Sequence, residues 1–286
     1  MQATERLYIH DTYLVETSAT VLSVDSSSGL PGESVVVLDR TIFHPQGGGQ
    51  PSDTGLIFRA GGDSGDCVFE VVAAKLNHHD GVIHHHGRWL GGGSSGSSSD
   101  AATFAAGDIV ELRVDEMRRS LHARLHSAGH ALDAALQRLG YDRALKPAKG
   151  YHFPSGSYVE YEGSLPADQR AGFIEAVNAE LRKLVSEDIA TVVENRVGCT
   201  GCRTISSASD KVERTLPFPL QEVDAMHGSV AGEAEGEGAG AEAGPAAGAH
   251  RQQTRIVSVG GTSCPCGGTH VRSTGELGDI TVTKIK

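Results

Sequence analysis

Near the end of the chain, the segment CPCGGTH places a thiol at Cys266 and an imidazole at His270, four residues apart on a glycine turn. A second pair, His126 and His130 in HSAGH, has the same spacing in a helical stretch, where residues four apart share a face. Nitrogen and thiolate ligands favour zinc over calcium or magnesium, which prefer oxygen. The two segments therefore predict a shared zinc site. Because His122 lies one turn before His126, spacing alone leaves open which two helical histidines take part.

This combination of ligands does not indicate a zinc protease. Helical histidine pairs in those enzymes have Glu directly after the first His as general base, and here that position is Ser127. Hydrolysis would instead rely on the metal to orient a substrate or to lower the pKa of bound water. Four protein ligands would close a tetrahedral site, so catalysis would require an expanded shell or a displaced ligand.

A glycine-rich stretch, TIFHPQGGGQPSDTG, is the second candidate for chemistry. Gly47, Gly48 and Gly49 can bring backbone N–H groups close to a ligand, and Thr41, Gln46 and Gln50 offer side-chain hydrogen bonds beside them. The stretch lacks the Lys of a phosphate-binding loop, and a run of glycines forms a turn more often than a pocket.

Two low-complexity segments divide the chain. GGGSSGSSSDAATFAAG (91–107) predicts a flexible linker or an enlarged loop. The Gly, Ala and Glu residues of 227–250 predict a disordered acidic insertion. We therefore expect a first domain at 1–107 and a second at 108–286.

Short strands separated by turn residues dominate the first domain and predict a small barrel or sandwich. These strands are SVVVLD (34–39), GLIFRA (55–60), CVFEVVAA (67–74) and VIHHH (82–86). The only tryptophan, Trp89, is expected to close this barrel rather than to stack on a base.

The second domain is predicted to be α+β. After the strand IVELRV, a long helix capped by Asp115 and ended by Gly140 carries the histidines. Its expected apolar stripe is Leu121, Leu125, Ala128, Leu132, Ala135, Leu136 and Leu139. A second helix opening at Pro166 and the strands SYVEYE, IATVVE, TRIVSVG and DITVTKI complete the domain.

Composition limits the possible partners and compartments. The net charge of −11 argues against a generally basic nucleic-acid-binding protein. Between residues 115 and 150, however, seven basic residues outnumber four acidic ones, which could form a local basic face or a solvated helix flank. Five cysteines, an odd number, indicate a reducing compartment rather than a disulfide framework. Without a signal-peptide core or an apolar run of roughly 18 residues, we expect a cytoplasmic protein that does not enter membranes.

Three segments, TIFHPQGGGQPSDTG, LHARLHSAGHALDAAL and CPCGGTHV, resemble in sequence and order the AlaX-type alanyl-tRNA trans-editing proteins. These proteins are freestanding relatives of the editing domain of alanyl-tRNA synthetase. The segment KGYHFPSGSYVEYEG is also similar to the family's linking segment. The resemblance implies an amino-terminal β-barrel of the translation-protein type, followed by an α+β editing domain of the threonyl- and alanyl-tRNA synthetase type.

The same resemblance implies the site and the reaction. The zinc ligands would be His126, His130, Cys266 and His270, and the glycine-rich stretch would belong to the editing pocket, with Thr41 and Gln50 as contacts to the aminoacyl end. The implied activity is hydrolysis of the ester that joins serine, or glycine, to alanine tRNA. The long carboxy-terminal extension of some family members does not follow the final strand here, so we expect the barrel, helix flank or linker to recognise the tRNA body.

Two other functions fit the same residues. One is a catalytically inactive, zinc-stabilised tRNA-binding module, and the other is a metal-dependent esterase of small substrates. Whichever function applies, we expect the protein to be a monomer. Cys199 and Cys202 have the spacing of a zinc knuckle, but no second pair with this spacing accompanies them. The histidines of NHHDGVIHHH alternate along a strand end, so we expect at most adventitious metal binding there.

Overall fold

The computed structural model describes residues 2–26, 32–59, 67–90, 103–166, 169–198 and 252–285. The predicted insertion at 227–250, most of the predicted linker, and Cys199 and Cys202 lie outside these residues. The strands and helices are β1 (Glu5–Arg6), β2 (Glu16–Asp25), β3 (Ser34–Leu38), β4 (Arg40–Thr41), β5 (Gly55–Arg59), β6 (Val68–Leu76), β7 (Ile83–Leu90), β8 (Ile109–Val114), α1 (Glu116–Arg138), β9 (Leu145–Tyr151), β10 (Tyr158–Gly163), α2 (Phe173–Glu187), β11 (Val192–Gly198), β12 (Gln252–Val259) and β13 (Thr262–Pro265).

A closed six-stranded barrel forms the first part of the molecule, with the strand order β2-β3-β7-β6-β5-β8. Residues such as Leu38, Ile57 and Phe69 fill the barrel interior. Strand β8 alternates exposed and buried side chains, whereas all five residues of β3 are buried. Trp89 packs against the rings of Phe69 and Phe104, as expected for a residue that closes the barrel. The barrel and the four predicted strands within it are confirmed.

One barrel strand, β2, is absent from the sequence-based prediction. Its segment ETSATVLSVD is rich in Ser and Thr, and only Ala19 and Val21 are fully buried, so its pattern of apolar residues is short. The strand β8 belongs to the barrel although it follows residue 107. The division at 107 stays a prediction, and the position of β8 favours a boundary after Val114.

Helix α1 follows the barrel directly and begins as predicted. The carboxylate of Asp115 accepts a hydrogen bond from the Arg118 N–H at 3.1 Å, and the helix gives way to Gly140 in the left-handed region with φ 80°. The predicted apolar stripe is partly wrong, because Leu121 is 39% exposed. The most deeply buried face instead carries small residues and histidines: Ala123, Ala131, Ala134, Ala135, His122 and His126. Small side chains let α1 approach its neighbours closely, which brings the histidines into the interior.

In the second part, α1 packs against α2 and against strands β12 and β13 of the antiparallel sheet β11-β12-β13. Its core includes Leu181, Leu184, Val257, Val259 and Leu277. A separate hairpin pairs β9 with β10, and β9 was not predicted from the sequence. The mixed α+β class is confirmed, whereas the translation-protein type of the barrel stays a prediction.

Two boundaries and one predicted strand in this part differ from the structure. The second helix begins at Phe173 rather than at Pro166, after Gly172 in the left-handed region. The strand predicted as IATVVE begins only at Val192. DITVTKI does not form a strand: in place of a neighbouring strand, the Asn178 side chain binds both the N–H and the carbonyl of Val282. Among the described residues, no helix is both long and apolar enough to cross a membrane.

Candidate metal centre

The two predicted ligand pairs meet where α1 faces the segment after β13. His126, His130, Cys266 and His270 each offer one ligand atom, and these atoms lie within 4.8 Å of one another. Cys266 Sγ lies 3.5 Å from His126 Nε2 and 3.2 Å from His270 Nε2. Tetrahedral zinc, with bonds of about 2.3 Å to sulfur and about 2.0–2.1 Å to nitrogen, separates such atoms by roughly 3.5 Å. The cluster could therefore hold a metal ion, and His122 lies outside it.

Gln50, from the glycine-rich stretch, orients His126. Its Oε1 accepts from His126 Nδ1 at 2.8 Å and from the Thr269 N–H at 3.1 Å, and its Nε2 donates to Thr269 Oγ1 at 2.8 Å. With the proton on Nδ1, the Nε2 lone pair of His126 faces Cys266 and is available to a metal. Gln50 thus links the glycine-rich stretch to both ligand segments, α1 and the segment after β13.

The other two imidazoles are held in the same way. His270 Nδ1 lies 3.1 Å from Ser127 Oγ, which also accepts from the Val271 N–H at 3.1 Å. His130 Nδ1 lies 3.2 Å from Cys264 Sγ, while His130 Nε2 is buried and has no hydrogen-bond partner among the described residues. A buried ring nitrogen without a partner is costly unless something binds it, so this atom fits a metal ligand.

Burial keeps the three histidines of the cluster in the neutral form that binds metal. Desolvation lowers the pKa of His130 to about 4 and lowers the pKa values of His126 and His270 well below the usual range, so these rings are neutral near pH 7. Burial raises the pKa of the Cys266 thiol, whereas the Gly268 N–H at 3.4 Å from Sγ acts in the opposite direction. A bound dication would reverse the effect of burial, because coordination deprotonates a thiol.

Glycine is required at Gly268 because the backbone there contacts a ligand. A Cβ atom at Gly268 would lie 2.2 Å from His126 Cε1, whereas a Cβ atom at the adjacent Gly267 would meet nothing within 4 Å. Gly129 in α1 is required in the same way, because a Cβ atom there would lie 2.4 Å from His152 Cε1. Gly268 of CGGTH and Gly129 of HSAGH are therefore constrained by neighbouring imidazole rings, whereas Gly267 is not.

Gly268→Ala is expected to displace the His126 ring and to weaken metal binding by at least about 10-fold, in the range found for misplaced metal ligands. Gly267→Ala is the matched control and should bind metal as the unaltered protein does. Competition with a chromophoric chelator measures both affinities. Equal affinities for the two variants would contradict the close approach of Gly268 to His126.

The glycine-rich stretch forms a tight turn. Gly48 and Gly49 have φ values of 56° and 75°, and Gly47 and Gln50 exchange backbone hydrogen bonds across them. Gly49 packs on Gly150, since a Cβ atom at Gly49 would lie 2.2 Å from the Gly150 carbonyl oxygen. The turn thus docks against the end of β9, and the Gly47 N–H is already used within it.

Thr41, at the end of β4, is fully buried beside the barrel strand β7. Its Oγ1 lies 2.8 Å from His85 Nε2 and accepts from the Phe43 N–H at 3.1 Å. Because His85 Nδ1 contacts the Val36 carbonyl at 3.0 Å, His85 Nε2 is the acceptor and Thr41 donates to it. The neighbours of His85 along β7 are only partly buried, which confirms the predicted alternation of these histidines.

His152 lies beside the cluster and was not predicted as a site residue. Its ring stacks on His126 with centroids 4.6 Å apart, and its backbone N–H donates to the Gly49 carbonyl at 2.8 Å. Burial lowers its pKa to about 4. Nothing in the spacing of KGYHFP marks His152 as a site residue. The position of His152 depends on the tertiary contact between Gly49 and Gly150, which the sequence does not show.

A buried ion pair connects the glycine-rich stretch to α1. Arg119 and Asp53 have side-chain exposures of 1% and 0%. Arg119 Nε lies 3.1 and 3.0 Å from the two Asp53 carboxylate oxygens, and its other nitrogens donate to the carbonyls of Thr12 and Ile42. Asp53 also accepts from the His44 N–H at 2.6 Å. This pair was not predicted, because charge patterns alone do not show which charges become buried.

Comparisons with known proteins identify sequences that are similar to this chain. Residues 254–286 match the family described as threonyl and alanyl tRNA synthetase second additional domain. The chain is 28% identical over 283 residues to the alanyl-tRNA editing protein AlaX-L of Pyrococcus horikoshii, covering 98% of this chain and 54% of that protein. It therefore spans about half the length of that relative.

Two further relatives are similar in sequence to nearly the whole chain. The alanyl-tRNA editing protein AlaX-M of Methanosarcina mazei is 29% identical over 288 residues, with 99% of this chain and 91% of that protein covered. The alanine–tRNA ligase of Methanothrix thermoacetophila is 27% identical over 297 residues, covering this chain in full but only 24% of the ligase. These similarities confirm that the chain is related to the AlaX-type alanyl-tRNA editing proteins, and they extend the relationship beyond the three motifs to nearly its whole length.

Proposed function

We propose that this protein is a trans-editing hydrolase that deacylates mischarged alanine tRNA. Its substrates are the tRNA esters of serine and glycine, and its products are the free amino acid and uncharged tRNA. The observation that carries the proposal is the buried cluster of three histidines and one cysteine, in a chain similar throughout to proteins named for alanyl-tRNA editing. We further propose that the barrel is of the translation-protein type, that it forms a domain separate from the editing domain, and that the protein works in the cytoplasm.

The chemistry of alanine selection explains the need for such an enzyme. A pocket built for alanine cannot exclude the smaller glycine sterically, and an apolar pocket rejects an added hydroxyl by only about 10²-fold. A second site must therefore hydrolyse the wrong esters. In that reaction, water adds to the ester carbonyl and the ribose hydroxyl leaves.

Zinc is the proposed metal, held by His126, His130, Cys266 and His270. When bound, it would polarise an ester oxygen or lower the pKa of bound water. The chain's own residues position this chemistry. Gln50, Ser127 and Cys264 contact the Nδ1 atoms of the three histidines and leave the Nε2 atoms facing inward. Three of the four ligands, His126, Cys266 and His270, are buried.

The catalytic and substrate-binding residues are proposed to be Thr41 and Gln50, with the turn of Gly47, Gly48 and Gly49. For Gln50, the hydrogen bond to His126 supports a role in positioning the metal ligand. For Thr41, the proposed contact is with the serine hydroxyl. Since the Thr41 hydroxyl donates to His85, a substrate hydroxyl would act as the donor to Thr41 Oγ1.

Gln50→Leu is expected to weaken zinc binding by about 10- to 100-fold, the usual effect of removing a partner that orients a metal-bound histidine. It leaves the Thr269 N–H and His126 Nδ1 without their buried acceptor. Gln46→Leu, four residues earlier and exposed, is the matched control. Chelator competition should show the loss for Gln50→Leu only, and unchanged affinity in that variant would contradict the positioning role.

Dependence on tRNA separates this function from an esterase of small substrates. The purified, zinc-loaded protein is given seryl-tRNA for alanine and, separately, a small serine ester at equal concentration. We expect kcat/KM for the tRNA ester to be higher by orders of magnitude, because remote binding energy positions the reacting ester. Equal values for both substrates would support the esterase and contradict the proposal.

A further inference from the structure

The second thiol of CPC, Cys264, has no part in the ligand cluster, yet it lies against it. The strand β13 alternates half-buried and exposed residues, so that Thr262 and Cys264 face α1 while Ser263 and Pro265 face away. Cys264 is a free thiol, as is Cys266. The exposed Pro265 therefore lies between two cysteines, Cys264 and Cys266, whose sulfur atoms both face α1.

β13 and the residues directly after it run antiparallel to α1. Thr262 Oγ1 donates to Gln137 Oε1 at 2.6 Å, Cys264 Sγ lies 3.2 Å from His130 Nδ1, and Cys266 Sγ lies 3.5 Å from His126 Nε2. Two residues of a strand advance about 6.6 Å, and four residues of a helix advance about 6.0 Å. The step from Cys264 to Cys266 therefore matches the step from His130 to His126.

The two sulfur atoms differ in the ring nitrogen that they face. Cys266 faces the Nε2 atoms of two histidines, whereas Cys264 faces the Nδ1 atom of His130. His130 Nε2 is buried and has no partner among the described residues. If Nε2 binds a metal, Nδ1 must carry the ring proton, and the Cys264 sulfur is the acceptor within reach.

We propose that Cys264 is a positioning residue of the metal centre, which accepts a hydrogen bond from His130 Nδ1 and thereby turns His130 Nε2 towards the metal. It is not itself a ligand. It acts on His130 as Gln50 acts on His126 and as Ser127 acts on His270. The inference rests on the metal centre alone and holds whether or not the protein edits tRNA.

Zinc affinity of the purified full chain, measured by chelator competition, tests the proposal first. Cys264→Ala should weaken binding by about 10- to 100-fold. Cys264→Ser, which restores an acceptor, should remain within a few-fold of the unaltered protein. Cys67→Ala, a buried thiol of the barrel, is the matched control and should leave zinc affinity unchanged. Full affinity in Cys264→Ala, or an equal loss in the Ser variant, would overturn the proposal.

Cobalt(II) substitution then separates a positioning residue from a ligand. Cys264→Ala should keep the charge-transfer absorption of a thiolate bound to cobalt, and Cys266→Ala should lose it. If Cys264→Ala loses that absorption, Cys264 is a ligand and the proposal is wrong. Because the spectrum reports coordination directly, neither outcome depends on the editing reaction. Far-UV circular dichroism of each variant establishes that it is folded.

Discussion

Cys266→Ala is expected to remove bound zinc and deacylation activity together, with activity falling by more than about 100-fold. Removing even an outer partner of a metal ligand typically costs about 10- to 100-fold, and Cys266 is the ligand whose sulfur lies within 3.5 Å of two imidazole nitrogens. Metal content is measured by elemental analysis and activity with seryl-tRNA for alanine.

Histidines outside the cluster require a control in that experiment. His84 and His86 lie on one side of β7 with ring centroids 6.5 Å apart and could hold adventitious metal. The measurement is therefore repeated with both replaced by Asn. Cys67→Ala should keep one zinc per chain and full activity. Full zinc occupancy in Cys266→Ala on the His84→Asn, His86→Asn background would show that the proposed ligand set is wrong.

Arg119→Met is expected to lower the free energy of unfolding by about 3–5 kcal/mol, since breaking one side of a buried ion pair leaves an uncompensated charge. Asp53, with an exposure of 0%, would lose its bidentate partner, and the carbonyls of Thr12 and Ile42 would lose a donor. Urea denaturation measures the change.

The surface pair of Arg113 and Glu16 provides the matched control. Their side chains are 55% and 62% exposed, so Arg113→Met should cost no more than about 1 kcal/mol. Adding Asp53→Asn to Arg119→Met should recover part of the lost stability, because the unpaired charge is then removed. An Arg119→Met effect as small as that of Arg113→Met would contradict a structural role for the buried pair.

The sequence predicted those parts of the candidate site that follow from local periodicity. Residues four apart on a helix share a face, so the spacing of His126 and His130 is enough to pair them. The same rule could not choose between His122 and His130, because the choice depends on which ring lies beside His270 in the folded chain. The family resemblance supplied that choice, and the cluster in the structure agrees with it.

The partners of the ligands could not be predicted, because tertiary contacts determine them. Gln50 lies 76 residues from His126 in sequence, and Cys264 lies 134 residues from His130. Packing also explains the errors in the fold. The apolar stripe predicted to include Leu121 is replaced in the structure by a buried face of small residues and histidines. DITVTKI is rich in β-branched residues, but its backbone binds the Asn178 side chain instead of a neighbouring strand.

Deacylation by the purified, zinc-loaded protein tests the central claim most directly. Alanine tRNA charged with serine is compared with the same tRNA charged correctly with alanine, at one enzyme concentration and against the spontaneous rate. Trans-editing predicts rapid release of serine while the alanyl ester is spared, because a second site is useful only if it discriminates. If neither ester is cleaved faster than it hydrolyses alone, the editing function is wrong, and the cluster belongs to a zinc-stabilised binding module.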